Sequence, residues 1–194
     1  MLQFKPDWEI VKKRLESLWF CENDRACMAV TCLKDNHHYV RETPPADPEA
    51  LFSYFTDADW IHRRQMHLFE NLFFGGEALP VVFMNFGTAG HAKYFKGCKF
   101  RFTENTVWYD RSLGDDELPQ YMGEEGMLAV EKRCMEKLSH LAQGIYMVSM
   151  PDNCGILDAL SHLRGSNQLL TDLIDRPDWV LKSIDKILEG HLHS

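Results

Sequence analysis

Leu79-Pro80-Val81-Val82-Phe83-Met84 is the stretch on which the fold class turns. It is a short apolar run, bounded by Gly75-Gly76 before it and by the small-residue stretch Asn85-Phe86-Gly87-Thr88-Ala89-Gly90-His91 after it. A run this short without polar alternation predicts a strand buried on both faces. Working outward, Ala26-Cys27-Met28-Ala29-Val30-Thr31-Cys32 and Ile145-Tyr146-Met147-Val148-Ser149 read the same way. Helical patterns separate the three. One runs from Ala58 to Phe74, with Trp60, Ile61, Met66, Phe69, Leu72 and Phe73 as its apolar positions and Gly75-Gly76 as its stop. Another runs from Glu124 to Ala142, with Met127, Val130, Met135, Leu138 and Leu141 as its buried side. Strands separated by helices pair in parallel through right-handed crossovers. The segments 27–32, 79–84 and 145–149 are therefore expected side by side in one sheet, in an α/β fold that is either a (β/α) barrel or an open doubly wound sheet.

The flanking segments fit that frame. A first helix is expected from Asp7, with Trp8, Val11, Leu15, Leu18 and Trp19 on one face. The polar stretch 33–45, with His37 and His38, reads as a loop. Asp47-Pro48 starts a short helix and Thr56-Asp57 caps the next. The segments 100–103 and 106–109 predict a small β excursion. Three helices, 156–164, 167–175 and 177–188, close the chain, Pro177 opening the last; the tail 189–194 reads as a ragged end. With no internal repeat and no low-complexity linker, residues 1–194 read as a single domain.

Composition narrows the class of function. The 194 residues carry a net charge of −8 and no basic cluster. Phosphate backbones are bound by clustered Lys and Arg, so nucleic acid is not an expected partner. No apolar run approaches the ~20 residues that span a bilayer, and the N-terminus lacks the basic start and apolar stretch of a secretory signal. Cysteines 21, 27, 32, 98, 134 and 154 form no C-x-x-C and sit mostly among apolar residues, which suits buried free thiols in a reducing, cytoplasmic setting.

In parallel α/β folds ligands bind beyond the C-terminal ends of the strands. Three loops take that position here. The first offers Thr31, Cys32, His37 and His38; the second Asn85, Thr88 and His91; the third Asp152, Asn153 and Cys154. Asp152, Asn85 and His91 are the candidate catalytic groups, with Asn153, Thr88 and Thr31 as candidate substrate contacts. Each has a plainer reading: Asp152 and Asn153 as helix caps, the histidines as solvated loop residues, and Cys154 as a small buried thiol rather than a nucleophile or metal ligand. Lys93-Tyr94-Phe95-Lys96 reads as an amphipathic surface or as a carboxylate-binding patch. Phosphate-cradling glycine motifs, H-E-x-x-H and G-x-S-x-G are absent, and no metal site is expected within the chain.

Two stretches together resemble a known family. Residues 158–180, Asp158-Ala159-Leu160-Ser161-His162-Leu163-Arg164-Gly165 through Leu169-Leu170-Thr171-Asp172-Leu173 to Pro177-Asp178-Trp179-Val180, are similar to the Leu-Arg-Gly segment of the uroporphyrinogen decarboxylase superfamily. Gly75-Gly76-Glu77-Ala78-Leu79-Pro80 resembles a Gly-Gly-Asp-Ala-x-Pro run of its bacterial members. The resemblance implies a TIM-type (β/α) barrel with an N-terminal helical extension. A complete barrel takes about 250 residues, so it also implies that this chain is a partial barrel, the N-terminal half.

The superfamily's functional residues transfer unevenly. Its decarboxylases carry an arginine-rich loop after the first strand, where this chain has Thr31-Cys32-Leu33-Lys34. Their key aspartate follows the second strand, where Asn85 stands in Phe83-Met84-Asn85. An amide supplies no full charge to a pyrrole cation. A tyrosine expected after the third-strand proline is also missing, Pro151 being followed by Asp152-Asn153-Cys154. The resemblance thus implies a divergent enzyme nearer the methyltransferase-like or unassigned branches, acting on a small molecule or a corrinoid protein. The methyltransferase branch holds zinc through residues of its C-terminal half; no cofactor is expected in this chain itself. A true uroporphyrinogen decarboxylase is the second reading. The third is a non-catalytic half-barrel that binds a partner or a second copy, since half a barrel leaves a strand edge open.

Overall fold

Glu70 is the last residue of the helix that the apolar spacing carries on to Phe74. The side chain of Asn71 stops it: its amide donates to the His67 carbonyl at 2.7 Å, and its Oδ1 accepts the His38 N–H at 2.8 Å. The five residues that follow form a strand. The computed structural model describes residues 2–87, 90–152 and 155–194. Its elements are α1 Trp8–Trp19, β1 Ala29–Leu33, α2 Pro48–Thr56, α3 Ala58–Glu70, β2 Leu72–Gly76, β3 Val81–Val82, β4 Lys99–Phe102, β5 Val107–Asp110, α4 Gly126–Leu141, β6 Met147–Val148, α5 Ile156–Arg164, α6 Ser166–Asp175 and α7 Pro177–Leu192. A short 3-10 helix spans Gly90–Tyr94.

The expected three-stranded sheet is not formed. β1 pairs with β2, antiparallel, with Thr31 opposite Phe74 and Ala29 opposite Gly76. β3 pairs with β6 in parallel, Val81 opposite Met147 and Val82 opposite Val148. β4 and β5 make the expected excursion, an antiparallel hairpin. Among the described residues these are three separate two-stranded sheets and no closed barrel. The segment 27–32 was read as a core strand from its apolarity alone, yet every residue of β1 is exposed. Its partner lay hidden in the helical pattern, because Leu72 and Phe73 satisfy helical spacing as readily as they populate a strand. Gly75 and Gly76 serve this strand pair rather than a helix end. Gly76 has φ +57°, and a Cβ there would sit 2.0 Å from the Met28 carbonyl oxygen, so only glycine fits.

The chain divides into two compact units, each drawing on several stretches. One comprises Met1–Thr43, Asp57–Phe83 and Met135–Met150; the other comprises Pro44–Thr56, Met84–Cys134 and Pro151–Ser194. In the first, Phe69 is the hub: its ring meets Phe4, Phe74 and Tyr146 at 5.8, 5.6 and 5.5 Å, edge-on in each case. Lys5 is buried here, and its ammonium donates to the carbonyls of Phe74 and Gly76 at 2.9 and 2.8 Å. That closes the outer edge of β2 with a side chain instead of a strand. The expected apolar face of α1 is only partly used. Val11 is buried, but Leu18 and Trp19 are exposed, Trp19 at 83%. Asp7 precedes α1 without capping it through its side chain; its carboxylate pairs with Lys5 at 3.2 Å instead.

In the second unit, α5, α6 and α7 pack Leu160, Leu163, Leu169, Val180 and Ile187 around Phe95 and Leu128. The Phe52 and Phe55 rings of α2 cover Phe102 of β4 at 5.6 and 5.0 Å. Arg164, from the Leu-Arg-Gly segment, is among the largest fully buried side chains. It donates from Nε to Asp172 at 2.6 Å, and from Nη1 to Asp115 at 2.7 Å and to the Leu113 carbonyl at 3.3 Å. Gly165, with φ +86°, makes the turn that lets α6 bring Asp172 back to it. The residues that carry the resemblance are a structural lock between two helices. The tail is ordered helix as far as Leu192, and His191 lies within α7.

The thiols also depart from expectation. Cys134 is buried and Cys98 half-buried, but Cys21 and Cys32 are exposed. No helix among the described residues is long and apolar enough to cross a membrane.

Candidate functional site

The segments leaving β3 and β6 both enter the second unit. They are tied there by one backbone bond, from the Gly90 N–H to the Asp152 carbonyl at 3.2 Å. Asn85 is exposed, and its Oδ1 accepts the Gly87 N–H at 3.3 Å, a local turn contact. Asp152 is half-buried. Thr88, Asn153 and Cys154 lie outside the described residues. Thr31 and Cys32 are not in an exit loop: both lie within β1, opposite Phe74 and Phe73.

His91 is fully buried, and neither ring nitrogen has a hydrogen-bond partner among the described residues. Its ring lies 5.0 Å from that of His191. Burial foremost, then the neighbouring His191 and His162, pushes His91 down to about 4, so it is neutral at physiological pH.

Beside it sits a polar group that apolar patterning hides. Lys93 and Glu131 are both buried, with Nζ 3.1 Å from Oε1, although the angle leaves Oε1 without a true hydrogen bond. The Tyr94 hydroxyl donates to Glu131 Oε2 at 2.5 Å, and Lys93 Nζ donates to the Phe86 carbonyl. Burial raises the Glu131 carboxyl and lowers the Lys93 ammonium from their ordinary values, each against the attraction of the other. The two are thereby drawn closer to proton exchange than a surface pair would be. Lys93-Tyr94-Phe95 is therefore neither a surface nor a carboxylate patch; of that stretch only Lys96 is exposed. A signal for Glu131 was present: it shares the α4 stripe of Met127, Cys134 and Leu138, where an unpaired carboxylate would be costly.

Chemically, Lys93 holds Phe86 and Glu131 holds Tyr94, while Asn85 is exposed to an incoming molecule and Asp152 is half-buried. Compared with protein-family models, curated proteins and solved structures, the chain matches none. Among the described residues, no group of three or more His, Cys, Asp or Glu is placed to hold a metal ion.

Proposed function

We propose that this chain is a divergent enzyme of the uroporphyrinogen decarboxylase superfamily, of its methyltransferase-like or unassigned branches, acting on a small molecule or a corrinoid protein. The observation that carries the reading is the junction of the two strand exits. β3 and β6 pair in parallel across the crossover that contains α4, the repeating step of a (β/α) barrel. The chain leaving each strand meets the other at Gly90 and Asp152, beside a buried Lys93, Glu131, Tyr94 and His91. A buried ionisable cluster beside a further carboxylate-bearing residue, here Asp152, is a common arrangement at functional sites. On this reading the barrel is partial and begins at β3, with α1 and the antiparallel β1–β2 pair as its N-terminal extension. Asp152 orients or moves a proton at the substrate; Lys93 and Glu131 position the loop.

The test is anaerobic incubation of the full chain with methylcobalamin and a thiol. Methyl transfer breaks the cobalt–carbon bond, leaves the electron pair on cobalt as cob(I)alamin and makes the thioether. Turnover above the enzyme-free control that falls at least tenfold in Asp152→Asn supports the proposal; no turnover removes the methyltransferase branch. A parallel incubation with uroporphyrinogen is expected to give no coproporphyrinogen. At least two electrostatic contacts are missing, each typically worth about 100- to 1000-fold. Product there would favour the decarboxylase reading.

One observation favours a second reading, a half-barrel that associates. Val30 and Leu33 on β1 and Phe73 on β2 are exposed on one two-stranded sheet, and Phe83 and Met150, just beyond β3 and β6, are exposed at 59% and 69%.

A further inference from the structure

We propose that the cleft lined by Lys13, Arg14, Ser17, Asn23 and Arg25 binds a phosphate group, free or carried by a small soluble molecule. The cleft has a volume of about 340 Å³ and lies between the second half of α1 and the segment 23–27, within the first unit. That volume is at the lower end of small-molecule sites. Ser17 lies three residues from Arg14 and four from Lys13, so it neighbours both on the helix surface, and all three line the cleft.

What organises the cleft is Glu77. Its carboxylate is buried, and one oxygen, Oε1, accepts from both Arg14 Nη1, at 3.3 Å, and Arg25 Nη2; the other accepts the Met28 N–H at 2.7 Å. The Met28 N–H foremost, then Arg25 and Arg14, holds this carboxyl below its ordinary value, so it stays ionised. Two guanidiniums are thus fixed by a single charge. Each uses one nitrogen on Glu77, and the side chains remain 41% and 49% exposed, leaving their other N–H donors for a ligand.

The charges do not cancel. Lys13 makes no ion pair among the described residues, and Asp24 is the sole carboxylate of the lining. Three cations face two carboxylates, Asp24 and Glu77, in a chain whose net charge is −8. A clamp between α1 and Glu77 needs one arginine. A second, held rigidly on the same oxygen with an unpaired lysine beside it, is the donor set that a tetrahedral dianion takes up from several directions.

The test is calorimetric titration of the full chain with inorganic phosphate at constant ionic strength, with acetate as the monoanion control and ribose 5-phosphate as a phosphomonoester. Saturable one-to-one binding of phosphate, at least about tenfold tighter than acetate, is expected; tighter binding of the ester identifies a carried phosphate, equal binding a free one. Lys13→Ala is expected to weaken binding about tenfold, and Asp24→Asn to strengthen it severalfold. Neither side chain forms an ion pair among the described residues, so the melting curve of each variant should match the parent. Phosphate heats no different from the acetate control, or affinity unchanged in both variants, would overturn the proposal and leave Arg14 and Arg25 as a structural clamp.

Discussion

At the residue scale, three groups yield measurable consequences. His91 titrates near 4 in the folded chain against an unfolded value near 6.5. Between those values the unfolded state binds the extra proton, so stability rises with pH across that window and falls on acidification through it. Lowering the pH from 7 to 5 should cost about 2 kcal/mol through this group. His191, His162 and Lys93 oppose its charge, and Asp158 favours it. Urea unfolding of His91→Leu should show a flatter pH dependence over the same range; an unchanged dependence would place the effect elsewhere. Arg164 gives a sharper case. Arg164→Met leaves Asp172 buried without its cation, and such breaks typically cost about 3–5 kcal/mol. The double variant with Asp172→Leu should recover much of that loss, because two apolar groups replace the pair. If the double variant proves no more stable than the single one in chemical denaturation, the Arg164–Asp172 lock is not the source. Cys98, which burial pushes up to about 12, should resist alkylation at pH 8 while the exposed Cys21 and Cys32 react, as peptide mapping would show.

At the element scale, the antiparallel β1–β2 pair is the part most dependent on single residues. Gly76→Ala drives a Cβ into the Met28 carbonyl and demands positive φ of a residue that resists it, so a loss of about 1–3 kcal/mol is expected on thermal melting. Lys5→Met tests the strand edge. It strips the Phe74 and Gly76 carbonyls of their donor, at about 1–3 kcal/mol, and opens β2 to pairing with another strand. Light scattering should show more association for this variant than for the parent. The legibility of elements varied in an instructive way. The starts of the three C-terminal helices were readable to within a residue, with Gly165 before α6 and Pro177 at the start of α7, but the end of α7 was not: it runs to Leu192, past the expected 188. The α3–β2 boundary was not readable. It rests on Asn71, which needs both its own helix and the loop around His38 to become a stop.

At the scale of the whole molecule, association is the property most directly open to measurement. The apolar residues on β1, on β2 and just beyond β3 and β6 are expected to bring copies together, and sedimentation of the purified chain should give a dimer or larger species. A cooperatively unfolding monomer at micromolar concentration would argue against the half-barrel reading. It would leave the enzyme proposal to be decided by turnover.

The sequence by itself determined the helices of the C-terminal half, the β4–β5 hairpin and the mix of helix and strand, because helical period, caps and turn residues act over a few neighbours. It also carried the position of Asp152 after a strand. Only tertiary structure decided that β1 pairs antiparallel with a strand some forty residues on, that Lys5 closes the edge of that pair, and that Lys93 and Glu131 meet in the core. Strand partners, edge closure and buried ion pairs are set by groups tens of residues apart, and an apolar run reads the same whether it is buried or, like β1, exposed.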